Sequence, residues 1–510
     1  MRAWLVACGL VVSAYGIGSS VAACSSVSCE ENKNCATTGD GGGMDAADGA
    51  VLEGGGMDTA PPGCDASKDP KDSAACVDDG YGVFVSPMGK ASGAGTKSDP
   101  MLTISGALGQ TSTAKNRVYI CEGTYAEAVS VSTAVNLYGG FDCGTWAYGM
   151  KPVKVAPSAA GIALTVTASG VTVEDIEFDA KDGVNPGDSS IAVFVSGAQN
   201  VLFRRVIAIG GAGQEGGAPV ATANYDGGVA PTGNAATSDF GALQQDCAGV
   251  CANGVHSIGG NGGVGALSGA TSSDGADGGP PIAPNPPGAD GIGGKGKIVG
   301  CNPADPGANA LPATGGASGA QKAGQLTASA WQRTDGISGQ FGGVAQGGGG
   351  GSGGTHATPS NNGGGGGGGC GGCGGAGGVG GMTGGSSFAL LSYKAVIALD
   401  SCTLKTAKAG DGRSGGSGQP GQTGGGYGTH VVAGSGCDGA AGGNGGAGGG
   451  GGGGAGGHSV AIGYVDTPPT EQGTVTKVTS AAGTGGAGGG GGTPGATTGG
   501  NGSNAPTLAL

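Results

Sequence analysis

The stretch VLFRRVIAIGGAGQEGG (201–217) joins nine strand-like residues directly to a glycine-rich block. The same junction occurs twice more, where AVIALDSCTLKT (395–406) precedes Gly410 and TVTKVT (474–479) precedes Gly483. Alternating apolar and polar residues predict strands, whereas glycine has no side chain with which to form a core. The recurrence therefore predicts a repeating β scaffold that releases glycine-rich segments from one corner.

Composition limits both the size of the core and the classes of partner. The 510 residues include 128 glycines, and only 4% of residues are aromatic. The apolar material in 81–209, 387–408 and 457–480 suffices for one domain-sized core. A formal charge of −14 without a basic cluster argues against nucleic acid as a partner, because phosphates require clustered Lys and Arg.

The first 23 residues predict an export signal, with Arg2 followed by the apolar run 3–12 and then small residues. The sequence VAAC (21–24) resembles a bacterial lipobox, which predicts lipidation of Cys24 and attachment to a membrane through that lipid. Ser25 favours the outer membrane, with the cell surface and the periplasmic face both open. Ordinary signal cleavage and secretion is the alternative.

The changes in composition along the chain predict eight segments. Residues 24–80, with Cys29, Cys35, Cys64 and Cys76 after the predicted lipid site and few large apolar residues, predict a locally stapled and otherwise disordered tether. The remaining segments follow from the alternation of strand-like and glycine-rich sequence. They are the signal 1–23, a cap with the first rungs at 81–209, insertions at 210–385 and 410–457, rungs at 386–409 and 458–480, and a glycine-rich tail at 481–510.

The strands between 83 and 178 are short, and too little helical sequence separates them for βαβ units, so the pattern favours a parallel β-helix over a sandwich. The stretches GVFVSPMGKASGAGTKSDPMLTISGAL (82–108), RVYICEGTYAEAV (117–129) and VNLYGGFD (135–142) resemble the opening of pectate-lyase-like right-handed β-helix proteins of a family of unknown function. The resemblance implies an all-β fold, a right-handed parallel β-helix with long glycine-rich loop insertions. It implies a fold far more than an activity.

The glycine blocks have a period of three residues. From Gly368 to Met382 the sequence reads GGC GGC GGA GGV GGM, and in composition and triplet repeat these blocks resemble the glycine-rich domains of PE-PGRS surface proteins. A threefold helix rising about 3.1 Å per residue would place Cys370 and Cys373 about 9 Å apart, too far for a disulfide. The period thus predicts bonds from these two cysteines to other segments, with Cys247, Cys251, Cys301 and Cys437 as candidates. A flexible linker is the alternative interpretation.

The densest acidic run in the predicted core is formed by Glu174, Asp175, Glu177 and Asp179. Such a run can hold Ca²⁺ or supply the acid and base of a lyase or glycosidase, with Arg204 and Arg205 as the basic partners. The alternative, which the alternation with apolar residues favours, is that the carboxylates face solvent. The sequence predicts no catalytic residue, no cofactor and no metal site. A zinc site could in principle combine His356 with Cys247, Cys251, Cys370 and Cys373. Disulfides are the favoured interpretation of these cysteines.

Six aromatic residues fall in the first rungs and predict either core packing or a platform on which sugars stack; they are Tyr119, Tyr125, Tyr138, Phe141, Trp146 and Tyr148. Cys121 and Cys143 bracket them and are predicted to form a disulfide.

The first functional hypothesis is a non-catalytic, lipid-anchored structural or adhesive protein of the cell envelope. A module that binds envelope or extracellular polysaccharide and, less favoured, a carbohydrate-active enzyme are the alternatives. The sequence predicts no oligomeric state.

Overall fold

A computed structural model describes residues 60–220, 225, 228–237, 239–248, 251–252, 254–280, 291–297, 299–313, 315–356, 363–431 and 435–510. The signal 1–23, Cys24 and the tether up to residue 59 lie outside these residues. Within the described part of the chain, no helix is both long enough and apolar enough to cross a membrane.

The described chain is almost entirely strand and extended segment. Its helices are a 3-10 turn at Ala74–Cys76 and α1 (Ile104–Leu108). Strands up to residue 210 are β1 (Gly82–Lys90), β2 (Arg117–Cys121), β3 (Gly123–Tyr125), β4 (Val129–Val131), β5 (Asn136–Phe141), β6 (Tyr148–Lys151), β7 (Val153–Val155), β8 (Ile162–Val166), β9 (Thr172–Glu174), β10 (Glu177–Asp179), β11 (Ser190–Ser196), β12 (Val201–Arg204) and β13 (Ile207–Gly210). Later strands are β14 (Ala266–Leu267), β15 (Gly324–Leu326), β16 (Trp331–Arg333), β17 (Thr355–His356), β18 (Ser387–Tyr393), β19 (Ile397–Asp400), β20 (Thr403–Thr406), β21 (Ser459–Val465), β22 (Thr470–Gln472), β23 (Thr476–Val478) and β24 (Asn504–Ala509).

Three stacked sheets contain all of these strands except β14 with β17 and β15 with β16, which form two-stranded sheets of their own. Sheet 1 has the order β1-β2-β5-β9-β12-β19-β22, with β6 added on β5; sheet 2 is β3-β7-β10-β13-β20-β23, and sheet 3 is β4-β8-β11-β18-β21-β24. Within each sheet the neighbours along these orders pair in parallel, as in the register of Val201 with Ile397. The chain therefore passes from sheet 1 to sheet 2 to sheet 3 and repeats, and each pass forms one coil of the stack.

The corner from sheet 1 to sheet 2 repeats in successive coils. A residue with positive φ directly follows the sheet 1 strands β9, β12 and β19: Asp175 (57°), Arg205 (52°) and Ser401 (57°). The next residue points into the core, where Val206 is 2% and Cys402 is 1% exposed. Cys402 is a free thiol, and its burial follows from this position, which the buried Ile176 and Val206 occupy in the two preceding coils.

The core lies between the three sheets. It is built from the inward side chains of all of them, and α1 covers one end with Ile104 and Ala107, both fully buried. Thr103 caps α1 by accepting a hydrogen bond from the backbone N–H of Gly106. Each fully buried Val, Leu or Ile contributes about 1.5–3 kcal/mol to folding, so the core is the main source of stability in the stack.

The glycine-rich segments all leave from the corner between sheets 2 and 3. They run from β13 to β18, from β20 to β21 and from β23 to β24. In earlier coils the same connection is short, as between β7 and β8. The single exit corner agrees with the expectation from the sequence.

Inside these segments, backbone hydrogen bonds repeat every third residue. The N–H groups of Gly372, Gly375 and Gly378 donate to the carbonyls of Gly443, Gly446 and Gly449, at 2.8–2.9 Å. A second neighbour runs the opposite way, since Gln422 and Gln419 donate to Cys373 and Ala376 at 2.9 Å. This spacing is the one that three-residue helices require, and it makes the glycine-rich segments a hydrogen-bonded lattice.

Disulfides join different segments of the lattice to one another. Cys247 bonds to Cys370, Cys251 to Cys373 and Cys301 to Cys437. Cys370 and Cys373 do not bond to each other, as the three-residue period requires. These cross-links join residues more than 120 positions apart, and closing such long loops restricts the unfolded chain strongly.

Residues 60–80 belong to the folded domain, which corrects the expectation that the tether is disordered up to residue 80. A disulfide joins Cys64 to Cys76, and the hydroxyl of the buried Tyr119 donates to the backbone carbonyl of Cys76. The side chain of Asp69 contacts Arg204 on sheet 1. The segment is therefore held on the stack by a disulfide, a buried hydrogen bond and an ion pair.

Candidate functional site

The acidic run lies where sheet 1 turns into sheet 2. Glu174 ends β9, Asp175 occupies the positive-φ corner, and Glu177 and Asp179 belong to β10. Glu174 is only 2% exposed, so the expectation that the carboxylates face solvent is wrong for this residue. The outer face of sheet 1 is covered at this point by residues 60–80.

Glu174 and Asp175 are held by the two arginines of the next coil. Arg204 stands in register with Glu174 and binds it at 3.1 Å, while its Nε donates to Asp400 at 3.0 Å. Arg205 donates to both oxygens of Asp175 at 2.7 and 2.8 Å and to Glu174 at 3.0 Å. The arginines therefore alternate with carboxylates along the stack axis.

Asp69 completes this cluster from residues 60–80. It contacts Arg204 and lies 3.4 Å from Arg205. Burial and, after it, the neighbouring Asp69 carboxylate raise the pKa of Glu174 to about 7, against the lowering effect of Arg205 and Arg204. The two arginines thus favour the ionised form of Glu174, whereas burial and Asp69 favour the protonated form. We call Asp69, Glu174, Asp175, Arg204, Arg205 and Asp400 the arginine cluster.

Glu177 and Asp179 belong to a separate ion pair. Lys154 of β7 lies 3.1 Å from Glu177 and also contacts Asp179. The acidic run therefore divides between the two arginines and Lys154 and does not converge on one point. Among the residues that the structure describes, no group of three or more His, Cys, Asp or Glu side chains is placed to hold a metal ion. The geometry supports neither the Ca²⁺ interpretation nor that of an acid–base pair.

Two members of these networks, Lys154 and Asp69, differ in whether the sequence alone predicts them. Lys154 alternates with Val153 and Val155, and that alternation predicts an outward side chain one coil before Glu177. Asp69 gives no such signal, because it lies 135 positions from Arg204 in a segment without strand periodicity.

A cleft of about 750 Å³ runs beside the arginine cluster. It crosses four coils, from Thr124 through Val153 and Ile176 to Ile207, and charged side chains form its rim. Met150 projects over it with a positive φ of 51° and a 74% exposed side chain. No aromatic side chain lines the cleft, so it lacks the stacking surface typical of sugar sites.

Five of the six aromatic residues of the first rungs pack together and do not form a platform, and Tyr125 lies in the main core. Tyr119 and Phe141 are fully buried, Trp146 is 5% exposed, and Tyr119 stacks on Tyr138 at 6.0 Å. A disulfide joins Cys121 to Cys143 at the edge of this group. Sugar rings have no access to these faces, so the platform hypothesis is wrong for them.

The outer face of sheet 3 is covered by the hairpin β15–β16. Leu326 and Trp331 of the hairpin pack on Phe388, with the Trp331 and Phe388 rings 5.0 Å apart. His458 joins this contact, and its Nδ1 accepts a hydrogen bond from the N–H of Ser503 at 2.9 Å. The first glycine-rich insertion thus folds back and closes this face.

Acidification should destabilise the protein through His458. Burial lowers the pKa of this histidine from 6.5 to about 4, so the unfolded state binds the proton first. Its contribution to stability is complete above pH 6.5 and is lost as the pH falls toward 4, at about 1.4 kcal/mol per pH unit. Urea unfolding at pH 7 and pH 5 should show that His458→Asn, which keeps an acceptor for Ser503, reduces the pH difference by ~2 kcal/mol. An unchanged difference would contradict this assignment.

Comparisons with protein families, with curated proteins and with solved structures found no match to this chain.

Proposed function

We propose that the chain is a non-catalytic structural or adhesive protein of the cell envelope. Its stack is interpreted as a right-handed parallel β-helix, supported by the fixed order of the three sheets and by the positive-φ corners. The lipid on Cys24 would anchor it to the outer membrane, and the glycine-rich segments would be displayed from the stack.

The common exit corner of the glycine-rich segments carries this proposal. Three separate insertions leave between sheets 2 and 3, and their backbones hydrogen-bond to one another across insertions. A chain that only tolerated glycine-rich loops would not need to bring them into register. Cross-linking by disulfides suits an oxidising location outside the cytoplasm.

The charges support a structural role over chemistry. The carboxylates of the acidic run are all paired with Arg or Lys, and such pairs hold elements together without leaving a free acid or base. The negative net charge disfavours nucleic acid as a partner. Envelope or extracellular polysaccharide remains the proposed contact of the displayed face.

Protease treatment of intact cells tests this function. We expect external protease to remove the full-length protein from intact cells, and Cys24→Ser to release it from the membrane fraction. A periplasmic protein of known location in the same cells serves as the control for integrity. Full protection in intact cells, with digestion only after permeabilisation, would rule out surface display, and a membrane-bound Cys24→Ser variant would rule out the lipid anchor.

A further inference from the structure

The coil formed by β22, β23 and β24 departs from the others at its inward positions. Leu399 and Leu404 lie in the core of the preceding coil with 1% and 2% exposure. The residues in register with them are Glu471 and Lys477. Since side chains in register in a parallel stack point the same way, the two leucine positions are taken by opposite charges.

Glu471 and Lys477 close the core at this end. Lys477 Nζ lies 2.6 Å from Glu471 Oε1, so the pair bridges sheet 2 to sheet 1 directly above the two leucines. Their side chains are 38% and 20% exposed. The apolar interior therefore ends under a solvated ion pair.

Sheet 3 also ends with a polar residue at a position that is apolar in the preceding coil. Thr507 of β24 stands in register with the buried Ile462. Pro506, beside it, has no backbone N–H to offer to a further strand. Among the described strands, β22, β23 and β24 each have one partner, and each leaves one edge of backbone donors and acceptors unpaired.

We propose that this end of the stack is closed against pairing with the same end of a second copy of the chain, and that Glu471, Lys477 and Pro506 close it. Unpaired edges recruit other strands, and inward charges and edge prolines are the usual means of preventing this. A second copy placed here would desolvate the Glu471–Lys477 pair, and burying an ion pair costs more than its attraction returns.

The geometry also selects the form of the assembly. The opposite end of the core is covered by α1, whose Ile104 and Ala107 are fully buried. Replacing the ion pair would therefore expose the core at one end of the described stack, while α1 still covers the other. Two identical ends meet through a twofold axis, which closes after two copies and does not propagate.

Replacing the charges tests the proposal. The full chain carrying Cys24→Ser, to avoid micelles, is compared with Glu471→Leu/Lys477→Leu in that background by sedimentation over a concentration series. We expect the parent to remain monomeric and the double variant to dimerise at least ~100-fold more tightly. Lys405→Leu/Glu215→Leu, which makes the same exchange at exposed positions elsewhere, is the matched control and should stay monomeric.

A second, more conservative double variant keeps the test valid if the double leucine variant does not fold. Glu471→Gln/Lys477→Met preserves side-chain size, and we expect at least ~10-fold tighter dimerisation from it. Folded, monomeric behaviour of both double variants would overturn the proposal, as would dimerisation of the parent or of the control. Assembly into long filaments would overturn the inference that the end under α1 is closed.

Discussion

Gly378→Ala should destabilise the protein by about 3 kcal/mol or more. A Cβ at this position would lie 2.5 Å from the carbonyl carbon of Gly416 and 2.8 Å from the N–H nitrogen of Gly451. Both atoms belong to backbone segments that are hydrogen-bonded on other sides. Neither can move without breaking the repeat of every third residue, so the cost should be that of overpacking a rigid core.

Gly426→Ala is the matched control. The nearest atoms to a Cβ at Gly426 are those of the Thr232 side chain at 3.6 Å, an ordinary contact. This substitution should change stability by less than about 0.5 kcal/mol. The difference in stability between the two variants therefore separates the effect of the backbone clash from the effect of replacing a glycine by alanine.

Urea unfolding of the oxidised protein, followed by circular dichroism, measures both variants. Trypsin cleavage after Arg413 gives a local readout, because Arg413 donates to the carbonyl of Met382 at 2.9 Å within the lattice. We expect faster cleavage there in Gly378→Ala only. Equal stability of the two variants would show that the glycine-rich segments are loosely packed and would contradict the lattice.

The lattice illustrates what the sequence can and cannot predict. The triplets around Cys370 and Cys373 predict a period of three, and that period alone excludes a bond between these cysteines. The neighbours of each segment are not predictable, because glycine contacts carry no side-chain specificity. The disulfides of Cys370 with Cys247 and of Cys373 with Cys251 identify one such neighbour.

The candidate site shows a different limit. Strand alternation predicts the orientation of Glu174 but not its burial, because a segment more than one hundred positions earlier in the chain covers it. The pairing of Arg204 with Glu174 follows from the stacking of coils, and a spacing of 30 residues suggests it. The contribution of Asp69 requires the folded structure.

Arg205→Met should destabilise the protein by about 3–5 kcal/mol at pH 8. Arg205 is the bidentate partner of Asp175 and also binds Glu174, which is 2% exposed. Removing it leaves the arginine cluster with four carboxylates, those of Asp69, Glu174, Asp175 and Asp400, and one arginine. Lys154→Met removes an ion pair with more exposed partners and should cost less than about 1 kcal/mol.

The pH dependence of this loss distinguishes lost charge from lost packing. The pKa of Glu174 is already raised to about 7, and without Arg205 it must rise further, so at pH 5 the variant can protonate Glu174 and relieve the repulsion. The destabilisation should therefore be smaller at pH 5 than at pH 8, and Glu174→Gln in the Arg205→Met background should recover most of it at pH 8. Hydrogen exchange at residues 60–80 should accelerate in Arg205→Met, because Asp69 then keeps Arg204 alone as its partner. A loss equal at both pH values and not recovered by Glu174→Gln would mean that Arg205 acts through its apolar stem, and that the cluster does not hold residues 60–80 on the stack.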